Sequence, residues 1–377
     1  MTTKKITFKY LIRQLHLILG LTSGLIVFIV AVTGSLYVFE EEGRELFQHD
    51  FYHVEHPGNT RVSFSQMADT VKAHFPKEKT TSIRFKESKD AAIIFYSKKD
   101  HAISVDPYTS KIIGVKNLDR DFFTVVEQIH THLLLGDVGS VIIKCNVLIF
   151  LIMCISGLIL WWPKQKRFFK RAVTINFKSK NWKLVNWELH SVLGFYALLV
   201  LLIISFTGIF FVYDSAKNTV AFFTGQPVPK KEKKLKSKPA KGRHYSLDEA
   251  YQYMSATNSG ATETFLSPAT DSVAPIRILM RYPYAIVRKQ STLYFNQYTG
   301  KVLKAELYKN YTAYDNIAKS NYDFHTGRIR ALGIGSKIIY FLSGLTAASL
   351  PVTGFMIWWG KKRKKKRVVA SVVAYAD

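Results

Sequence analysis

The chain has 377 residues, 48% of them hydrophobic, and carries a formal net charge of +26. That length allows several domains, and two cysteines are too few for a disulfide framework. The charge suggests nucleic acid, but its clusters flank long apolar runs, as membrane orientation requires, so no nucleic-acid partner is expected.

In chain order, Lys4, Lys5, Lys9 and Arg13 precede an apolar run over Leu15–Phe39. A bilayer needs about 20 such residues. The run has no small-residue cleavage site and continues into Glu40-Glu41-Glu42, so residues 1–39 read as a cytoplasmic N-terminus and a retained signal anchor. It opens with Leu15-His16-x-x-Leu19-Gly20 and reaches Thr33-Gly34 near its end. A histidine facing lipid is costly, so one at the mouth of a span is a functional candidate.

Residues 40–137 form the first long loop. His49, His53 and His56 cluster at its start; a solvated loop is the ordinary reading and an outer metal site the alternative. A helical stretch over Ser65–His74 precedes strands at Thr81–Phe85 and Ala91–Ser97. A strand, tight turn and strand follow, from Ile103-Ser104-Val105 through Asp106-Pro107-Tyr108-Thr109 to Ile112-Ile113. His130 and His132 lie just before Leu133-Leu134-Leu135-Gly136, and Arg120 lies upstream. His74 and His101, like His244 later, read as surface residues.

The second span covers 138–162 and ends Ser156-Gly157-x-x-x-Trp161-Trp162. Its two cysteines, Cys145 and Cys154, read as small apolar residues. Lys144 here, and Lys337 at the start of the fourth span, are placed to snorkel to the interface. Residues 163–186 are a basic loop without an acid through Lys183.

The third span, 187–213, repeats the first: Leu189-His190-x-x-Leu193-Gly194, with Thr207-Gly208 at the matching distance. The second long loop, 214–333, starts with a proline-bearing basic linker at 227–243 that includes Lys230 to Lys241, read as solvated. A helical stretch at Ser246–Met254, strands at Ile276–Met280 and Tyr284–Arg288, and a second strand-turn-strand around Asn296-Gln297-Tyr298-Thr299-Gly300 follow. Asp323-Phe324-His325-x-Gly327-Arg328 and Arg330 precede the fourth span, 334–359, which ends Thr353-Gly354-x-x-x-Trp358-Trp359. The tail, 360–377, is basic through Arg367.

One unit is thus written twice: span, outer domain, histidine segment, span. The fold class expected is a membrane-spanning all-α four-helix bundle with two small α+β domains outside the cytoplasm, built by internal duplication. Short basic segments stay in the cytoplasm. Both termini are therefore expected inside, with His16 and His190 near the inner face and His130 and His325 near the outer face. Imidazole pairs fill both axial positions of haem iron in many electron-transfer sites, so one bis-histidine haem b per face is expected, two in all. Headgroup contact for His16 and an ordinary surface position for His130 and His325 are the alternatives. Arg13, Arg120, Arg328 and Arg330 flank the proposed haems. Arg328 is the first choice for a propionate, and charge anchoring at the interface is an equal reading for Arg13. No P-loop, HExxH or nucleophile elbow occurs, nor a GxGxxG at a strand-helix turn, and nothing after Lys361 has room for a flavin or nicotinamide domain. Electrons would have to come from another molecule.

These motifs, in this order, resemble the PepSY-associated transmembrane proteins, a group that includes bacterial inner-membrane siderophore and ferric reductases. The marks are the two Leu-His-x-x-Leu-Gly starts, His130-x-x-Leu133-Leu134-Leu135-Gly136, Asp323-Phe324-His325-x-Gly327-Arg328, the Gly-x-x-x-Trp-Trp ends and the two Tyr-Thr turns. The resemblance covers almost the whole chain. It implies PepSY-like outer domains, haem between histidines of the membrane helices, and His130 rather than His132 as ligand. It also implies an inner-membrane location in a bacterium, contact with membrane lipid, a ferric chelate or siderophore as acceptor, and a separate donor such as a quinol or a cytoplasmic reductase. A non-catalytic module that binds or regulates an envelope partner is the alternative from another class. A reductase of a different outer acceptor is the other.

Overall fold

The computed structural model describes residues 6–227, 235–239 and 244–373, with side chains described up to residue 361. Four of its helical segments are long and apolar enough to cross a membrane: Phe8–Tyr37, Gly136–Trp161, Trp182–Val212 and Ile334–Lys361. Spans one and three therefore begin earlier than their apolar runs, because Thr7 caps the first helix at Tyr10 N and Trp182 already starts the third. Much apolar surface on the spans points outward, Leu25 at 73% and Leu199 at 71% exposure, as lipid-facing positions require.

The elements follow in order. Helix α1 is Phe8–Tyr37, α2 Glu40–Phe47, α3 His49–Tyr52 and α4 Phe64–His74. Strands β1 Thr80–Lys86, β2 Ile93–Ser97, β3 His101–Val105 and β4 Ile112–Asn117 come next. Then α5 is Phe122–His132, α6 Gly136–Trp161, α7 Phe169–Ala172 and α8 Trp182–Glu188. A π-helical turn at Leu189–Leu193 joins α8 to α9, Gly194–Val212, and these together make span three. Helices α10 Asp214–Phe223 and α11 Leu247–Thr257 precede β5 Glu263–Ser267, β6 Ile276–Tyr282, β7 Lys289–Phe295 and β8 Val302–Glu306. Helix α12 is Ala313–Thr326 and α13 Ile334–Val373. In the bundle α1 and α9 each pack against both α6 and α13.

The two long loops do not fold as separate sheets. Their strands form one antiparallel sheet in the order β4-β3-β2-β1-β5-β6-β7-β8, joined at the centre where Ile83 pairs with Leu266 and Phe85 with Thr264. Alternating residues put Ile83, Phe85, Ile93, Phe95 and Ile103 from one half, and Leu266, Ile278, Met280, Leu293 and Phe295 from the other, on a shared face. Helices α4 and α11 cover that face with Met67, Val71, Ala250 and Met254. A sheet of four strands would leave the β1 edge unpaired; joining the halves removes that edge. Helix α11 starts at a Ser246–Glu249 capping box, a device of about 1 kcal/mol.

Two sequence expectations change. Tyr284–Arg288 is not a strand but the turn between β6 and β7, and the strand matching β1 in the second half is β5, Glu263–Ser267. Its polar, short sequence hid it; pairing on both sides makes it a strand. The basic linker is also not wholly solvated. Of Lys230–Lys241, residues 230–234, 240 and 241 lie outside the described residues, but Ser237 is buried, donates from N to Val273 O at 2.7 Å and accepts from Gln297 N at 3.1 Å.

Candidate functional site: two histidine pairs

The four candidate histidines come together in the pairs expected. His16 and His190 have ring centroids 6.4 Å apart, with planes at 86°. His130 and His325 are 6.1 Å apart, at 66°. The first pair lies at the bundle end away from the sheet. The second lies on α5 and α12, helices separate from the spans, at the sheet end. Helix α5 stops because Leu133 and Leu134 take left-handed backbone, and α12 stops at Gly327, φ +70°. A Cβ at Gly327 would come within 2.6 Å of Tyr340, so this cap is closed to other residues. His132 is exposed, bonds Thr131 and takes no part in the pair.

Each histidine is seated on a hydroxyl-glycine dipeptide of another helix in its own half. His16 Nδ1 meets Ser156 Oγ at 2.8 Å, and His190 Nδ1 meets Thr353 Oγ1 at 2.9 Å. His325 Nδ1 meets Thr207 Oγ1 at 2.9 Å. His130 Nδ1 lies 2.9 Å from Val30 O and 3.3 Å from Thr33 Oγ1. The glycine after each hydroxyl makes room for the ring: a Cβ would fall 2.8 Å from His130 at Gly34, 3.2 Å from His190 at Gly354, and 3.5 Å from His16 at Gly157 and from His325 at Gly208. These small-residue pairs were legible only as places for close helix approach; their use as imidazole seats is a tertiary fact.

The seats also fix the tautomer. A carbonyl can only accept, so Val30 O takes a proton from His130 Nδ1. The other hydroxyls spend their own protons within their helices: Thr207 donates to Ile203 O at 2.7 Å, Thr353 to Ser349 O at 3.0 Å and Ser156 to Met153 O at 3.2 Å. Each then accepts from Nδ1–H. Nε2 is left in every case as the nitrogen with a free lone pair, the form a metal requires.

Sequence reasoning missed two further residues. Asn186 Nδ2 donates to Thr353 O, and Asn321 Nδ2 to Thr207 O, both at 3.1 Å. Each asparagine sits one helical turn before a histidine that bonds the same threonine's hydroxyl. The signal was present as Asn186-x-x-x-His190 and Asn321-x-x-x-His325; the first half has Ile12 and Val126 at the matching positions. His190 also stands in the π-helical turn, a distortion that often marks a functional position.

The family model of the PepSY-associated TM region matches residues 13–361. The chain belongs to this family. No curated protein matches it. The match spans all four histidines of this PepSY-associated chain, so the pairs lie inside the family's own region.

A cavity of about 1360 Å³ opens between the spans at the end away from the sheet, larger than the roughly 300–1,000 Å³ of ordinary small-molecule sites. His16, His190, Trp161 and Trp358 line it, with Lys9, Arg13 and Lys361 among its cations. The residues fit a ligated iron. Two metal–imidazole bonds of about 2 Å, plus about 1.1 Å from each nitrogen to its ring centre, would set the centroids at most about 6.2 Å apart.

At the sheet end the charges do something the sequence did not suggest. Arg328, expected at a propionate, is instead 93% buried against acids: Nη2 donates to Glu40 Oε2 at 2.9 Å and Nη1 to Glu41 Oε1 at 3.1 Å. Lys337, expected to snorkel, is buried and donates to Glu41 at 2.9 Å and Glu42 at 2.7 Å. Arg330 adds a bond to Glu41 at 3.2 Å. Burial raises the Glu41 carboxyl, but Arg328, Lys337 and Arg330 outweigh it and hold it at about 2. Arg44, on the same helix, pairs with Asp121 at 2.7 Å, and Asp121 caps α5, which carries His130. Burial raises Asp121 too, yet hydrogen bonds from Arg44 and Gln48 bring it to about 2. Arg288 grips Asp323, two residues before His325, at 2.8 Å. Helix α2 is thus a charged strut joining the two elements that carry the sheet-side histidines. Arg120 takes no part in these bonds and lines a separate surface hollow beside Gln48.

Proposed function

We propose that each histidine pair holds one b-type haem and that the protein carries electrons across the bacterial inner membrane to a ferric chelate, such as a ferric siderophore, on the sheet side. The observation that carries the reading is the pair of ring separations, 6.4 and 6.1 Å, with all four Nδ1 atoms already engaged. Bound haem supplies one-electron exchange at iron. His16 and His190, and likewise His130 and His325, would hold the iron through Nε2, and their Nδ1 seats keep the rings from turning. Lys9, Arg13 and Lys361 offer partners for propionates at the wide cavity.

Positive segments at the sheet-distal end support a cytoplasmic position for that end and for both termini under the orientation rule. A quinol or a cytoplasmic reductase would be oxidised there. One electron would convert the chelated Fe³⁺ to Fe²⁺, which hard oxygen donors hold less tightly.

The test is an absorption spectrum of purified protein, oxidised and dithionite-reduced, with haem quantified and reduction of an added ferric siderophore followed. Two low-spin haems per chain and reduction of the chelate are expected. Protein that shows no Soret band even after expression with added haem would overturn the reading in favour of a cofactor-free module that binds an envelope partner.

A further inference from the structure

The strut helix α2 and the short α3 that follows bring together a second group of metal-binding side chains, away from the haem-site pairs. Glu45, His49 and His53 recur every four residues, and one ligand atom of each lies within 4.8 Å of the others. The His49 and His53 rings stack, with centroids 4.2 Å apart and planes only 6° from parallel. His53 is held firmly. Val54 N donates to Asp90 O at 2.8 Å and Ala92 N to Tyr52 O at 2.9 Å, which fixes the backbone on both sides. Phe51 and Val54 pack under it against Ala92, Ile94 and Ala102.

His53 is held between two carboxylates, one on each ring nitrogen. Its Nδ1 lies 2.9 Å from Asp90 Oδ2, so that nitrogen carries the proton. Its Nε2 is buried, stands 2.8 Å from Glu45 Oε1, and makes no aligned hydrogen bond. Nε2 and the Glu45 oxygen are thus two ligand atoms in contact with no aligned hydrogen bond joining them, close enough for one cation to bind both. A carboxylate behind a ligating histidine is the usual support of a metal site.

We propose that Glu45, His49 and His53 bind a divalent transition cation of borderline softness, Zn²⁺ or a neighbour in its row. Two imidazoles and one carboxylate suit such ions; Ca²⁺ and Mg²⁺ prefer oxygen alone. Three protein ligands leave a fourth position for water. The side chains of His49 and Glu45 are 59% and 44% exposed, so the ion exchanges with solvent rather than being locked into the fold. Lys86, 3.2 Å from Glu45 Oε2, and Asp50, 3.7 Å from His49 Nδ1, are the groups the ion displaces or outcompetes. His56 lies outside the cluster.

The experiment uses full-length, tag-free protein in detergent, titrated with Zn²⁺ by calorimetry, and with Co²⁺ to read ligand-field bands. One Zn²⁺ per chain is expected at this site, with tetrahedral Co²⁺ absorption. Asp90→Asn should weaken binding about 10–100-fold, His53→Ala should weaken it more, and His56→Ala should leave it unchanged. His49→Ala guards against misfolding, because the residue is exposed; it should abolish the Co²⁺ bands while haem content stays at the wild-type value. The double variant His16→Ala with His190→Ala should keep the site, so its fate is independent of the haem reading. Unchanged Zn²⁺ affinity in both His49→Ala and His53→Ala, or no Zn²⁺ bound by the wild type, would overturn the proposal.

Discussion

The sheet-distal and sheet-side histidine pairs have similar ring spacings, 6.4 and 6.1 Å, but are built differently. His16 and His190 project from the spans themselves into a wide cavity with cations among its lining. His130 and His325 ride on separate short helices, tied to each other through Glu40, Glu41 and Arg44 of α2. The first pair needs only the bundle; the second also needs the loop domain to be folded. Two helices crossing a bilayer hold their residues at a fixed depth, whereas helices ending at Leu133 and Gly327 require an external brace.

The largest effect should come from removing one pair. His16→Ala with His190→Ala should lower haem from two per chain to one, measured by pyridine haemochrome, and abolish electron entry from the distal side. His130→Ala with His325→Ala should remove the other haem and stop reduction of an external acceptor. If either double variant loses both haems, the two sites are not separable and the comparison breaks.

The seat glycines come next. Gly34→Ala brings a Cβ to 2.8 Å of His130, whereas Gly157→Ala leaves 3.5 Å to His16. Overpacking of this kind costs about 1–3 kcal/mol. Gly34→Ala should therefore disturb the sheet-side haem's low-spin spectrum, and Gly157→Ala should leave the distal one near wild type.

Loss of one asparagine clamp should cost about 0.5–1.5 kcal/mol, the worth of a typical hydrogen bond. Asn186→Ala and Asn321→Ala should each weaken haem retention severalfold at their own end, seen as a lowered temperature for loss of the Soret band. An equal effect at both ends would show that the clamp acts alike despite the different supports.

Acid should act mainly on the sheet side. The Glu41 and Asp121 carboxyls are depressed to about 2, against ordinary values of 4.5 and 3.8. Depressed carboxylates add stability that is complete above about pH 4.5 and is lost as pH falls towards 2. The sheet-side haem should therefore be released first on acidification below pH 4, by spectroscopic titration. Glu41→Gln should flatten that difference.

Much of this was legible in the chain. The four spans and the grouping of the four histidines into two pairs followed from apolar runs, charge and motif order, because a bilayer constrains length and polarity so strongly. The helices at Ser65–His74 and Ser246–Met254 were marked by amphipathic patterning, and the turns around Asp106 and Asn296 by turn residues. The second half's first strand was not, because β5 depends on partners on both sides for its strand character. Nor was the destiny of Arg328 and Lys337: a cation near a span end looks the same in sequence whether it meets lipid, a cofactor or Glu41.

The sequence by itself determined which residues lie in the membrane and which histidines share a depth. The tertiary structure decided how those histidines are held. Seating occurs within each half, His16 on Ser156, His130 on Thr33, His190 on Thr353 and His325 on Thr207. Pairing occurs between halves, and so does the joining of β1 to β5. Local patterns specify depth and facing, but a hydrogen bond between helices 97 to 163 residues apart depends on which helices become neighbours. That choice is made only when the whole bundle packs.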